Sequence, residues 1–250
     1  MSETQVESRQ LSVFAMGSLG LAVLSAVLLL IAAFGYRTGG LALGTSFTLL
    51  RYGAYGGAGA AVVSLLAVGL SLARRTGVQS LGAAVLGVLI GAVSYSLPAQ
   101  QQTIARELPP IHDITTDTDD PPQFVAVVPL RAEAPNPSEY DPSIAPQQEA
   151  AYPDLTSIML DVPPAQAFER ALSAVEGMGW ELVAAEPEAG RIEATDTTFW
   201  FGFRDDVVVR VRATGGGSRI DVRSKSRVGR GDVGANARRI RAYRDALTGQ

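Results

Sequence analysis

The residues best equipped for chemistry lie in one C-terminal run, Arg223-Ser224-Lys225-Ser226-Arg227-Val228-Gly229-Arg230-Gly231-Asp232-Val233-Gly234-Ala235-Asn236-Ala237-Arg238-Arg239-Ile240. It reads as a strand, a glycine-rich turn and the start of a helix. Such a junction can aim backbone N–H groups and a positive helix end at an anion, with guanidinium groups to clamp it in bidentate fashion. The anion-binding candidates are Arg223, Ser224, Ser226, Arg227, Gly229, Arg230, Asn236 and Arg238, supported by Asp205, Asp206 and Asp232. A phosphate, a lipid head group or the acidic segment of a partner protein would suit them. Gly229-x-Gly231-x-x-Gly234 fits the dinucleotide fingerprint literally. That site needs a further parallel strand carrying an acid about twenty residues on, and the chain reaches Gln250 first. Arg230-Gly231-Asp232 spells an adhesion tripeptide short enough to arise by chance.

Catalysis has less to draw on. Adjacent Asp205 and Asp206 start a strand, so their side chains diverge to opposite faces and cannot easily share a proton. His112, the only histidine, sits among prolines and acids and reads as structural or solvated. There is no Ser-His-Asp set, no histidine cluster at metal spacing and no phosphate loop. Asp113, Asp117, Asp119 and Asp120 lack the glycine and closing glutamate of a calcium loop. The absence of cysteine excludes disulfides, thiolate metal sites and cysteine nucleophiles. No catalytic residue, metal or cofactor is therefore assigned. Two alternatives to anion binding stand. One is a hydrolase or transferase using Asp206 or Asp232, with arginines stabilising transition-state charge. The other is a purely structural envelope protein in which Arg227, Asp232, Asn236 and Arg238 knit the loop to the helix.

These residues must be positioned by the elements around them. Asp161-Val162-Pro163-Pro164 marks a helix start, with Asp161 as cap, and Phe168, Leu172, Val175 and Met178 recur at helical spacing until Gly177 and Gly179. Residues 180–185 and 191–198 read as strands. Residues 206–213 and 218–228 are stronger strands, joined as a hairpin by Thr214-Gly215-Gly216-Gly217. Residues 233–247 form a last helix, capped by Asp232. The order predicts an α+β domain, an antiparallel sheet with helices on one face. Alternation sends Ile220, Val222, Ser224 and Ser226 to one side and Arg219, Asp221, Arg223, Lys225 and Arg227 to the other. A four-residue turn puts Arg210 opposite Asp221 and Arg212 opposite Arg219. The resulting arginine ladder reads either as a solvated face, partly neutralised by Asp221 and an acidic 99–165 segment folding over it, or as an anion-binding surface.

The N-terminal third has a different character. Residues 11–34, 52–73 and 78–97 are runs free of charge, each about the twenty residues a bilayer crossing requires. Three in succession predict transmembrane helices, the last ended by Pro98. The first lacks a cleavage site and a clearly positive start, so it reads as a retained anchor. Arg9 and Arg74-Arg75 outnumber Arg37 and Arg51 by one charge, which sets the N-terminus in the cytoplasm and the C-terminal domain in the periplasm of a bacterial inner membrane. The spans contain no Asp, Glu, Lys or His, which argues against a transporter or channel. Gly53-x-x-x-Gly57 and Gly87-x-x-x-Gly91 serve either helix packing within the chain or a homo-oligomer through the glycine-rich spans.

Charge and proline follow the same partition. Residues 99–165 hold eleven acids against Arg106 and Arg131, whereas from Arg204 onward twelve Lys or Arg face five Asp. Every proline except Pro187 lies between Pro98 and Pro164. The expected organisation is a membrane region over 1–98, a Pro/acidic linker or extended wrap over 99–155, and a soluble domain over 156–250. Nucleic acid is disfavoured as a partner, because the basic region lacks interleaved surface aromatics and the predicted orientation keeps it out of the cytoplasm.

The run RSKSRVGRGDVGANARRI, with Phe203-Arg204-Asp205-Asp206-Val207 upstream, resembles the signature of domain-of-unknown-function family 1499 over roughly residues 110–248. His112-Asp113-Ile114-Thr115-Thr116-Asp117, coming after several hydrophobic spans, is similar to the multi-span bacterial members. The cysteine near the start of many shorter members is missing here. The resemblance implies the fold and an envelope setting, and it implies no defined chemistry.

Overall fold

The structure, a computed structural model, describes residues 3–249, with side-chain surroundings from Val13 onward. The charges of Glu3, Glu7 and Arg9, on which part of the orientation argument rests, lie outside those described side chains. The chain divides into two compact units, residues 1–103 and 104–250.

The first unit contains α1 (Glu3–Arg37), α2 (Leu43–Ala73) and most of α3 (Val78–Glu107). All three are long and apolar enough to cross a membrane. The second is longer than expected and takes in Arg51, which is exposed. A long aliphatic stem lets such a side chain lie along a span while its charge reaches toward water. The third does not stop at Pro98, which lies inside α3. Proline removes one backbone donor, but the Ala, Gln, Arg and Glu residues that follow are good helix formers and carry the helix to Glu107.

Small residues hold these helices together. Ala15, Ser18, Ala22 and Ser25 of α1 are buried, as are Gly53, Gly57, Ala60 and Ser64 of α2 and Ala84, Gly87, Gly91 and Ser94 of α3. Large apolar side chains such as Leu24, Leu65 and Leu89 point outward. Lipid tails are as apolar as leucine, so close backbone approach, not apolar burial, drives the association. Both glycine motifs are used within the bundle. A Cβ on Gly91 would come within 2.6 Å of the Gly57 carbonyl oxygen, and one on Gly57 within 2.7 Å of Ser94 Cβ. Gly53 faces Ser25 and Leu29 of α1.

The second unit is the expected α+β domain. Its sheet is antiparallel throughout, in the order β1 (Asp113–Thr115), β6 (Gly217–Ser226), β5 (Arg204–Thr214), β4 (Arg191–Thr197), β3 (Glu181–Glu186). A short β2 (Ile158–Leu160) also pairs with β6. Strand β6 is the hub. One edge pairs with β5 over its whole length, and the other is shared by β2 at Ile220 and β1 at Lys225. The hairpin register is the one its turn predicts, with Arg210 opposite Asp221 and Arg212 opposite Arg219. Neither β1 nor β2 is foreseen from sequence, because each is three residues long and gains its order from the edge of β6.

Three helices complete this unit: the short α4 (Ala145–Ala151), α5 (Pro164–Gly177) and α6 (Ala235–Thr248). Phe168, Ala171 and Val175 of α5 and Ile240, Tyr243 and Leu247 of α6 join Ile192, Val207, Val209, Ile220 and Val222 in one apolar core. Tyr243 stacks on Trp180 at 5.7 Å and donates a hydrogen bond to the Ala171 carbonyl (3.1 Å). Asp161 is not the cap of α5. Pro163 occupies that position with ψ 154° and no side-chain cap, since a residue before proline is pushed out of the helical region.

The glycine contacts give a direct test of the bundle. Gly91→Leu is expected to destabilise it by about 1–3 kcal/mol through overpacking. Gly82→Ala, where nothing lies within 4 Å of the new methyl, should leave it unchanged or slightly firmer. Thermal unfolding of the detergent-solubilised chain checks both.

Candidate functional site

The sheet alternation divides the sequence-predicted site residues between opposite faces. On the helix-covered face, Ser224 Oγ donates to Asn236 Oδ1 (2.6 Å), and Asn236 Nδ2 donates to Ser226 Oγ and the His112 carbonyl (3.0 Å each). Arg239 binds Asn236 Oδ1 (2.6 Å) and Ser224 Oγ, and spans Asp205 (2.6 Å) and Asp196 (2.7 Å). This cluster closes the apolar core at one end of the sheet. Arg239, its central member, is among the residues that sequence reasoning did not select.

Arg223 and Arg227 lie on the outer face, which is neither bare nor solvated. The 116–141 segment crosses it. Arg223 is 0% exposed and grips Asp113 with two parallel hydrogen bonds (2.9 and 2.8 Å). Its remaining donors meet the Pro122 and Ser138 carbonyls (3.1 and 2.9 Å). The guanidinium lies 4.8 Å from the Phe124 ring centre and 5.4 Å from that of Tyr140. Lys225 reaches Asp113 and the Glu139 carbonyl. Burial lowers the Lys225 ammonium below its ordinary value, although Asp113 acts to raise it. Desolvation of the half-buried Tyr140, with Asp113 nearby, pushes its phenol up to about 12.

Asp206 is the second anchor of that face. It accepts two hydrogen bonds from Arg227 (2.9 and 2.7 Å), one from Arg131 (2.7 Å) and one from Thr195 (2.8 Å). Arg227 also donates to the Leu130 carbonyl, and Asn136 bridges to the Ser226 and Gly229 carbonyls. Beside it, the fully buried Glu193 carboxylate accepts from the backbone N–H groups of Val125, Ala126 and Val127 at about 3 Å. At the far end Asp221 takes Ser157 (2.6 Å), Arg210, Arg212 and Arg219, and Asp117 takes the same three arginines. Burial pushes Asp221 up, but hydrogen bonds from Ser157, Arg210 and Arg219 outweigh it and hold this carboxyl below the usual range.

The turn itself carries its own anion. Asp232 accepts from the backbone N–H of Gly234 (2.8 Å) and Asn236 (2.7 Å), so its carboxylate fills the place at the start of α6 where an external anion would dock. Burial raises its pKa despite these two donors. Val233, a β-branched residue at φ 54°, and Gly234 at φ 75° make the tight approach to the helix. Arg230 and Arg238 are exposed. Arg230 offers its carbonyl to His112 Nδ1 (3.2 Å), and Arg238 caps the Val233 carbonyl (2.9 Å). Asp113, Asp117, Arg131, Glu193 and Arg239 are the important residues that sequence reasoning passed over. The acidic bias of 99–165 pointed toward the first two, but nothing local distinguished Arg131 or Glu193.

These features define a chain with three helices long and apolar enough to cross a membrane, followed by an α+β domain whose sheet is polar on one face and apolar on the other. The model of the family described as protein of unknown function (DUF1499) matches residues 113–247, and the chain belongs to that family. None of the curated proteins compared with it matches.

Because Asp221 has a depressed pKa in the folded state, its contribution to stability is present above about pH 4 and is lost as pH falls through the folded value. Asp221→Asn should flatten this acid limb. At pH 7 it should cost about 1–2 kcal/mol, since three partly exposed guanidinium groups each lose one carboxylate partner and keep Asp117. Urea unfolding at several pH values measures both effects.

Proposed function

We propose that the chain is a membrane-anchored protein whose second unit is a non-catalytic structural or binding module, in which the arginine-rich face locks the 116–141 segment onto the sheet. One observation carries this reading: the donors of Arg223 and Arg227 are taken up by Asp113, Asp206 and backbone carbonyls of that segment. An anion site using these two arginines would have to displace bonds already made. Both oxygens of Asp206 are likewise taken up by Arg131, Arg227 and Thr195, and Asp205 Oδ2 is held by Arg239. The anion-binding reading retains Arg230 and Arg238, the two exposed arginines of the turn.

A thermal-shift titration of the full detergent-solubilised chain with inorganic phosphate separates the two. The structural reading expects no phosphate-dependent stabilisation, together with a large loss of Tm in Arg227→Ala. A stabilisation of several degrees that disappears in Arg230→Ala/Arg238→Ala would replace it with an anion site at the lip of the turn.

The same reading sets the N-terminus in the cytoplasm and the second unit across a bacterial inner membrane, supported by Arg74 and Arg75 in the short α2–α3 connection. The chain has no cysteine, so single substitutions report cleanly. In intact cells a membrane-impermeant maleimide should label Glu188→Cys and spare Gln79→Cys, and the reverse pattern would invert the orientation.

A further inference from the structure

The outer face of the sheet is covered unevenly. Over Arg223 the 116–141 segment closes completely, and that guanidinium is 0% exposed. Around Arg219, toward the hairpin end of β6, the same face opens into a groove of about 560 Å³. Small-molecule sites span roughly 300–1,000 Å³. The groove lies wholly within the second unit. Buried Thr116 and Asp117 form its floor, and its rim comes from residues 118–119, 156–159 and Thr214.

The floor is held rigidly. Asp117 Oδ2 accepts from Arg210, Arg212 and Arg219, and Asp117 Oδ1 accepts from the Asp120 N–H (3.0 Å). Thr116 Oγ1 takes the Val222 N–H (2.8 Å). Ser157 Oγ donates to Asp221 (2.6 Å) and accepts from Arg219 Nε (2.9 Å). The rim, by contrast, has hydrogen-bonding capacity to spare. Among the described residues, the exposed Asp119 carboxylate and the exposed Thr156 and Thr214 hydroxyls have no hydrogen-bond partner. Arg219 spends its Nε and Nη2 on the floor and leaves Nη1 unused. Met159, paired with Arg219 across the strands, is 59% exposed and adds one apolar side chain.

We propose that this groove binds a neutral saccharide of one or two rings. A phosphate would meet the carboxylates of Asp117, Asp119 and Asp221 with only Arg219 Nη1 unspent. An ammonium ligand would find the charge of Asp117 already matched by three guanidinium groups, and Arg219 would repel it. A divalent cation needs several free oxygen ligands, and one unpaired carboxylate beside a guanidinium does not supply them. A sugar hydroxyl both donates and accepts. It can donate to Asp119, accept from Arg219 Nη1, and pair either way with the two threonines. The C–H face of the ring would lie on the adaptable thioether of Met159. A floor already fixed by its own bonds lowers the cost of ordering the site on binding. The groove uses neither Arg223 nor Arg227, so its failure would leave the structural role of those two arginines standing.

Saturation-transfer NMR on the full chain in a sugar-free polyoxyethylene detergent tests this, with glucose, N-acetylglucosamine, cellobiose and chitobiose as probes. At least one probe should receive saturation, with a Kd of about 1 mM or below. Inorganic phosphate and spermidine at the same concentration should not displace it. Thr156→Trp, at an exposed rim position, should fill the groove and abolish the transfer. Asp119→Ala, also exposed, should weaken binding roughly tenfold through loss of a charge-assisted hydrogen bond. Glu188→Gln, outside the groove, should change nothing, and all three variants should melt as the wild type does. No transfer to any of the four probes would overturn the proposal. Transfer undiminished in both Thr156→Trp and Asp119→Ala would place the sugar elsewhere and overturn it as well. Displacement by phosphate or spermidine would replace it with a charged ligand.

Discussion

The outer face of the sheet places Arg210, Arg212, Arg219, Arg223, Lys225 and Arg227 side by side, and the domain depends on neutralising that charge. Left in water, such a row would repel itself across a strand pair, and Arg212 stands directly opposite Arg219. The 113–141 stretch resolves the conflict by laying Asp113, Asp117 and a series of backbone carbonyls across the row. In return, the segment gains partners that its own composition could not supply. A proline-rich, acidic chain buries little apolar surface and would otherwise stay disordered. The sheet and its cover are thus conditional on each other.

Buried ion pairs of this kind are weak sources of net stability, because desolvation offsets much of the Coulomb gain. Their value here is geometric. Arg223 in its bidentate grip on Asp113, flanked by Phe124 and Tyr140, permits one register of the segment against β6. Glu193, two strands away on the same face, does the same by collecting three consecutive backbone donors of that segment. A slip by one residue would strand charges in the interior, at a cost far above the gain of any single pair. Net stability then falls to the other face, where Val207, Val209, Ile220 and Val222 meet α5 and α6.

The membrane unit solves a different problem by a different route. Apolar burial offers nothing between helices already dissolved in lipid, so its contacts rest on glycine, alanine and serine at close approach. Large side chains are turned outward, the reverse of the arrangement in the second unit, where they turn inward. Each unit is ordered by the solvent it meets.

Repeating local patterns were legible in the sequence. Three charge-free runs of spanning length, the helices around Phe168 and Ile240, the 206–228 hairpin with its register, and the separation of Asp205 from Asp206 all follow from periodicity and turn chemistry. Membership of the family was legible too, through the Arg223–Ile240 run. What the arginines do was not. A sequence shows that a strand alternates arginine with valine, but it does not show what crosses the far face, and a free guanidinium and one saturated by carbonyls look the same in one dimension. Tertiary structure decided that the donors of Arg223 and Arg227 are taken up by Asp113, Asp206 and carbonyls of the crossing segment, and that Arg131 and Glu193 matter. Arg131 with Asp206, Glu193 with Val125–Val127 and Arg223 with Asp113 pair across sixty or more residues of chain, and pairings over such distances are set by the folded geometry, not by neighbouring residues.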